Sequence, residues 1–405
     1  MNRPELDFGL YFFGNYSKDV SAGDAYETLF SAARFADERG FSSLWVPERH
    51  FHSFGGIFPN PSVLAAALSR ETFRIRLNAG SVVLPLHDVI RVAEEWSVVD
   101  NMSGGRVGIG CATGWDAEDF VFYPDRFGRH REIMYAQLSQ LRKLWRGQSI
   151  DRVSGSGEDT AVSLRPRPVQ AEPPMYVAVL GRRESFADAA RHDLGIITNL
   201  MAQDVGTLAD NIAYYRDTRA RNGLDPQAGK VTVLMHTYLD PDADAARDAA
   251  FGPLCEHMRT SKSLFGRVIN SLGFEVDPDN AEADDLTYLF ERAYHRFCAG
   301  RTLVGSPESC APMAAAVRDA GVDEIAALVD FGVPSDLLLA GLGQVEALRG
   351  KLELAPPSTP EAAPEPDVEA PRESIAVASA SQPSESFPLS AGQRRLWLLE
   401  QRSPE

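Results

Sequence analysis

Eight short apolar runs, each bounded by turn residues, alternate with helical patterns over about the first 340 residues of the chain. The runs are Leu6–Phe13, Ser43–Pro47, Ile75–Leu84, Arg106–Gly110, Met175–Leu180, Gly195–Asn199, Val231–Leu239 and Glu324–Phe331. Strands joined through helices must lie parallel, because a hairpin cannot connect them. Eight such units predict an α/β fold of the (β/α)8, or TIM-barrel, type over residues 1–353. An open doubly wound sheet is the rival, but no G-x-G-x-x-G follows the first strand. The stretch Asp240–Gly300 reads as an insertion between strands seven and eight, over the strand C-terminal ends where barrel chemistry sits.

The helical segments carry their own punctuation. Asp24–Arg39 puts Leu29, Ala33 and Ala36 on one face and stops at Gly40. Asn60-Pro61 and Ser306-Pro307 each pair an N-cap residue with a proline at the first helical position. Arg131–Trp145 spaces Met134, Leu138, Leu141 and Trp145 helically before Gly147. Beyond residue 353 the pattern ends. Residues 354–386 are rich in Pro, Ala, Glu and Ser and read as a disordered, semi-stiff linker. Residues 387–405 turn apolar again, as the start of something further.

A formal charge of −17 argues against nucleic acid and anionic membrane surfaces as partners. No run approaches the roughly 20 apolar residues of a membrane span, and the N-terminus shows no signal-peptide core. Cys111, Cys255, Cys298 and Cys310 are scattered, which suits a reducing cytoplasm better than a disulfide framework. Cys111 closes a strand pattern and reads first as a buried structural thiol.

Polar residues gather at the strand ends. The second strand closes in Glu48-Arg49-His50-Phe51-His52, a carboxylate, a guanidinium and two imidazoles at the catalytic rim. His50 and His52 have metal-ligand spacing, but the fifth and sixth strand ends supply no further histidines. Small residues at 79–81 either admit a flat ring system or merely fit a narrow barrel interior. After the fifth strand, Gly181-Arg182-Arg183 opens a helix whose N-terminus is suited to an anion.

The runs PERHFHSFGGIFPNPSV, AGSVVLPLHDVIRVAEEWSVVDNMSGGRVGIG, ATGWDAEDF, LRPRPVQ, LMHTY and GVDEIAALVDFG together resemble the luciferase-like FMN-dependent monooxygenases. The likeness covers about residues 5–345 and is greatest to the subgroup embedded in nonribosomal peptide and polyketide synthases. It implies a cis peptide at Gly80-Ser81 beneath the flavin and flavin contacts from Thr113, Gly114 and Trp115. It further implies a phosphate site at Gly181, Arg182 and Ser185, and another flavin edge at Thr198 and Asn199. Luciferases end the second strand in two adjacent histidines, the first of them the critical acid/base. Here that place is Arg49 and only His50 remains, a departure from light-producing aldehyde chemistry. Cys111 matches the reactive thiol of luciferases. The tail FPLSAGQRRLWLLEQ is similar to the opening motif of a condensation domain, with Gly392 where alanine is usual.

The resemblance implies a monooxygenase that uses reduced FMN from a separate flavin reductase, with oxygen as co-substrate. Its substrate would be a chain tethered to an acyl or peptidyl carrier protein among neighbouring synthase domains. His50, with Glu48 and Arg49, and His236 in LMHTY are the acid/base candidates. A deazaflavin-dependent dehydrogenase, a metal-dependent barrel hydrolase and an inactive structural module are the rival readings. A homodimer is compatible with the sequence, which does not decide it.

Overall fold

In the computed structural model, which describes residues 6–16, 20–51, 56–201, 203–259, 262–274, 276–277 and 282–354, the apolar runs become the staves of a closed parallel barrel. They are β1 (Asp7–Tyr11), β2 (Ser43–Val46), β3 (Arg76–Val83), β4 (Val107–Ala112), β5 (Met175–Ala178), β6 (Gly195–Asn199), β7 (Val231–Leu239) and β8 (Glu324–Leu328). Each strand pairs with its neighbours in chain order, and β8 closes the ring between β7 and β1. The expected (β/α)8 architecture is the observed one.

Between the strands run α1 (Ala22–Glu38), α2 (Pro61–Glu71), α3 (Val89–Ser103), α4 (His130–Trp145), α5 (Arg183–Arg191) and α6 (Val205–Arg221). The expected caps form. Asn60 accepts from the backbone of Ser62 and Val63, and Ser306 and Ser309 make a reciprocal capping box. Gly40 follows α1 with φ 70°, where a side chain would be strained.

Alternation along each strand sorts the side chains into two cores. Phe8, Leu10, Leu44, Val46, Leu77, Ile109 and Cys111 face outward and join Leu29, Trp96, Leu138 and Trp145 of the helices. Each such fully buried large side chain contributes about 1.5–3 kcal/mol. Tyr11, Trp45 and Tyr176 belong to the inner cluster. Glycines opposite them make the room. A Cβ on Gly80 would come 2.7 Å from the Tyr11 ring, and one on Gly195 would come 2.6 Å from Tyr176. Of the two readings of the small residues near 80, fitting a narrow interior is thus satisfied by the protein's own rings. At the N-terminal end the interior is polar: buried Glu324 accepts from Ser42, Ser43 and Thr232 at 2.6, 2.5 and 2.9 Å.

The insertion after β7 contains α7 (Ala243–Arg259), α8 (Lys262–Ser271) and α9 (Ala283–Arg301). A three-residue strand, Leu303–Gly305, then returns beside the end of β7, and α10 (Pro307–Asp319) leads to β8. That strand is too short to register as a periodicity. An antiparallel hairpin of Ile150–Val153 with Asp159–Val162 was also missed, since its strands are largely exposed and show no apolar alternation. After β8 the described chain ends in α11 (Ser335–Leu354). Apart from Leu354, the expected linker and tail lie outside the described residues. No helix among the described residues is long and apolar enough to cross a membrane.

Candidate active site

Glu48 stands two residues beyond β2 with its side chain wholly buried. One carboxylate oxygen accepts from the Val83 backbone N–H at 2.8 Å. The other meets the Nε2 atoms of both His50, at 2.8 Å, and His87, at 2.7 Å. A carboxylate only accepts, so each imidazole donates its Nε2–H. Burial works against the Glu48 charge, but the bonds from His50 and His87 outweigh it and hold the carboxyl below its ordinary range. Burial likewise opposes a charge on His87, and the Glu48 bond overcomes it and raises the imidazole. The His87 backbone is fixed as well, its carbonyl accepting from Arg126 and Gln137 at 2.8 Å each.

His50 lies against two rings, Phe51 at 5.5 Å and Phe122 at 5.2 Å between centroids. Phe51 reaches this place with φ 61°, a left-handed conformation that costs a bulky residue about 1–3 kcal/mol. His52, its companion in the metal reading, lies outside the described residues. Among the described residues no three His, Cys, Asp or Glu side chains gather as metal ligands would.

Arg49, between Glu48 and His50 in the chain, joins a different group. Its guanidinium stacks over Phe13 at 4.2 Å, and Phe13 meets His257 of α7 edge-on at 5.4 Å. His257 in turn meets His236 of β7 at 4.8 Å. Burial drives the His236 imidazole down to about 4, and His257 falls well below its ordinary value for the same reason. Both are neutral at physiological pH, so His236 can accept a proton or hydrogen bond there but is no ready acid. Its Nε2 has no hydrogen-bond partner among the described residues. Beside this group, buried Asp330 accepts from the backbone of Phe13 at 2.5 Å and Gly14 at 2.7 Å, yet burial still pushes it up to about 7.

The residues expected to hold a flavin lie on β3 and β6, just beyond β4 and β5, and on the first turn of α5. The Gly80-Ser81 peptide is cis, and the Tyr11 hydroxyl donates to the Gly80 carbonyl. Thr113 and Gly114 follow β4. Gly114 has φ 81°, and a Cβ there would come 3.0 Å from both Val83 and the Phe120 ring. Trp115 is 65% exposed. Gly181, with φ 75°, turns the chain into α5, where Arg182 is the N-cap residue but makes no side-chain cap. The first-turn amides of α5 therefore lack the usual side-chain acceptor and lie beside an exposed guanidinium and Ser185. That donor set fits a phosphate.

Residues that sequence reasoning missed hold this half together. Gln203 donates to the Thr198 hydroxyl at 3.2 Å and the Asn199 carbonyl at 2.8 Å, while Asn211 donates to the Gly181 carbonyl at 3.1 Å. Arg301, the last residue of α9, donates to the carbonyls of Leu200, Met201 and Gln203 at 3.2, 3.3 and 3.1 Å. His87 was missed too, although it stands in the quoted run LPLHDV. Cys111 packs in the outer core, its thiol pushed up to about 12 by burial, so it has the inert character of a structural cysteine.

A sequence model described as luciferase-like monooxygenase matches residues 6–324. Limonene 1,2-monooxygenase of Rhodococcus erythropolis is 24% identical over 312 residues, 75% of this chain and 74% of that one. The oxygenase component of flavin-dependent trigonelline monooxygenase of Acinetobacter baylyi is 26% identical over 229 residues, covering 55% of this chain and 61% of its own. Among solved structures, the oxygenating constituent of 3,6-diketocamphane monooxygenase of Pseudomonas putida superposes with a TM-score of 0.68 at 17% identity. The match covers 84% of this chain and 97% of that one, a type II Baeyer–Villiger monooxygenase in complex with FMN.

Proposed function

Since the chain belongs to the luciferase-like monooxygenases, we propose that it takes reduced FMN from a separate flavin reductase and, with oxygen, hydroxylates a chain tethered to a carrier protein. The observation that supports this best is the pairing of an uncapped, arginine-flanked helix N-terminus on α5 with a buried Glu48–His50 hydrogen bond at another strand end. Arg182, Ser185 and the first amides of α5 would hold the FMN phosphate, with Gly181 giving close approach. Gly80, Ser81, Thr113, Gly114 and Trp115 would flank the ring system, and Thr198 and Asn199 would border it. When bound, the reduced flavin supplies the two electrons that activate oxygen.

The chain's own work is to exclude water, orient the substrate and manage protons. His50 is the acid/base group, oriented by Glu48 and shielded by Phe51 and Phe122. Arg49 supplies positive charge near Phe13 and His257, and His236 is a neutral acceptor.

The tethered substrate rests on the sequence beyond the barrel, a proline-rich linker and a tail similar to the start of a condensation domain. Tethering raises the effective concentration of neighbouring domains, so affinity for a free acid need not be high. The reaction would take place in the cytoplasm. The test offers one acyl chain as free acid, small thioester and carrier-bound thioester, with reduced FMN and oxygen. Oxygenation only of the carrier-bound form is expected; equal use of the free acid would refute the tether. His50→Ala should keep flavin binding and lower product formation by about 10²–10⁴-fold. Normal turnover by that variant would remove His50 from the chemistry.

A further inference from the structure

His50 and His87 hydrogen-bond the same oxygen of Glu48, but they face different surroundings. His50 is 9% exposed and sits against Phe51 and Phe122. His87 is 32% exposed. Glu48 and His87 also line a crevice together with Asn60, Ser62, Glu95 and Trp96, residues of the α2 N-terminus and of α3. Pro59, Pro61, Val82 and Val92 complete the crevice wall, and the Ser62 hydroxyl donates to Glu95 at 2.8 Å. One imidazole thus stands under a hydrophobic cover and the other beside a crevice that carries polar groups, joined through a single carboxylate oxygen.

Two positive imidazoles on one oxygen would lie within the few ångströms at which like charges shift each other's ionisation. One Glu48 carboxylate balances one of them. The remaining charged groups facing His87 are Glu95, itself paired with Arg91 at 3.0 Å, and Arg126, whose effects on an imidazolium oppose each other.

We propose that His87 is a positioning residue that exchanges charge with His50: when His50 takes up a proton during turnover, His87 releases one to the crevice. The protons balance simply. His50 gains a proton at Nδ1, His87 loses the one on its own Nδ1 to water, and both Nε2–H groups keep donating to Glu48. The buried cluster keeps its net charge, so His50 can act as a base without building positive charge where water is excluded. The reading of His50 as the acid/base group belongs to the proposed function, whereas the coupling itself is a property of the protein alone.

The test is therefore made on the full chain without flavin, by imidazole ¹⁵N NMR across a pH titration. In the wild type both rings should report two macroscopic steps, because coupled groups titrate as a pair. In His87→Gln, which can still donate to Glu48 but carries no charge, His50 should take up its proton at roughly tenfold lower proton concentration. The acid-side limb of the turnover profile, where a base is lost to protonation, should move to match. Independent single-step titrations in the wild type would overturn the coupling even if the variant failed to fold. So would an unchanged His50 midpoint in folded His87→Gln. Intact coupling in a chain with no oxygenase activity would sink the proposed function and leave the coupling standing.

Discussion

Replacing Glu48 by alanine deletes an acceptor that three donors share: the Val83 N–H and the Nε2–H groups of His50 and His87. The Val83 amide is buried, and stranding it costs about 1–3 kcal/mol. The two imidazole bonds go to an ionised acceptor, for which about 1.5–3 kcal/mol each is typical. His87 is 32% exposed and can turn to water, so its share is discounted. About 3–6 kcal/mol in all is expected, against a usual total stability of about 5–15 kcal/mol. Glu48→Gln should cost only about 1–2 kcal/mol, because one oxygen still serves Val83 and the new NH₂ can donate to imidazoles in their other tautomer. Urea unfolding followed by tryptophan fluorescence measures both.

Acidity sharpens the test. Glu48 is held below its ordinary 4.5, so its contribution is present above that value and fades as pH falls through the depressed one. His87 is raised above 6.5, so its contribution is full below that value and fades as pH climbs through the raised one. These are two ends of one interaction. The gap between wild type and Glu48→Gln should be widest between pH 4.5 and 6.5 and narrow on either side. A loss below about 1 kcal/mol in Glu48→Ala, or a gap independent of pH, would refute the reasoning.

Three further outcomes are expected. Arg182→Ala should weaken reduced FMN by about 1–2 kcal/mol, an exposed charge-assisted bond, in an anaerobic titration; unchanged affinity would put the phosphate elsewhere. Cys111→Ala should leave turnover intact, and wild-type protein should resist alkylation; rapid inactivation abolished by the substitution would show a reactive thiol. Asp330 is raised from 3.8 to about 7, so the stability it confers is full below 3.8 and is lost as pH rises through about 7. Asp330→Asn should remove that decline from the stability curve, and an unchanged slope between pH 4 and 7 would assign it to other groups.

Strands and caps were legible because they depend on local pattern. The Gly40 and Asn60 signals need only a few neighbouring residues to state their meaning, and the structure uses both as expected. Site residues were legible where several polar types crowded one strand end, as at Glu48, Arg49 and His50. Their grouping was not. Adjacent residues at the end of a strand diverge, so Arg49 joins Phe13 and His257 while Glu48 joins His50 and His87. His87 follows β3, and only the pairing of β2 with β3 brings it to Glu48. Gln203 and Asn211 carry no signal at all in one dimension, being ordinary polar residues until Gly181 and Thr198 come alongside.

The guanidinium of Arg301 has a consequence for anyone rebuilding this enzyme. It closes α9 and donates to three carbonyls after β6, those of Leu200, Met201 and Gln203. The excursion between β7 and β8 is an obvious unit to exchange when a new substrate is wanted, since it lies between two consecutive strands of the chain. Its final residue, however, is a rivet in the loop that borders Thr198 and Asn199. A chimera that imports a foreign excursion lacking an arginine at that junction leaves Leu200, Met201 and Gln203 without their donor. It would slacken the loop after β6 while appearing to alter only the roof. Transplants should therefore be cut before Arg301 of the recipient, so that the roof is replaced and the rivet retained.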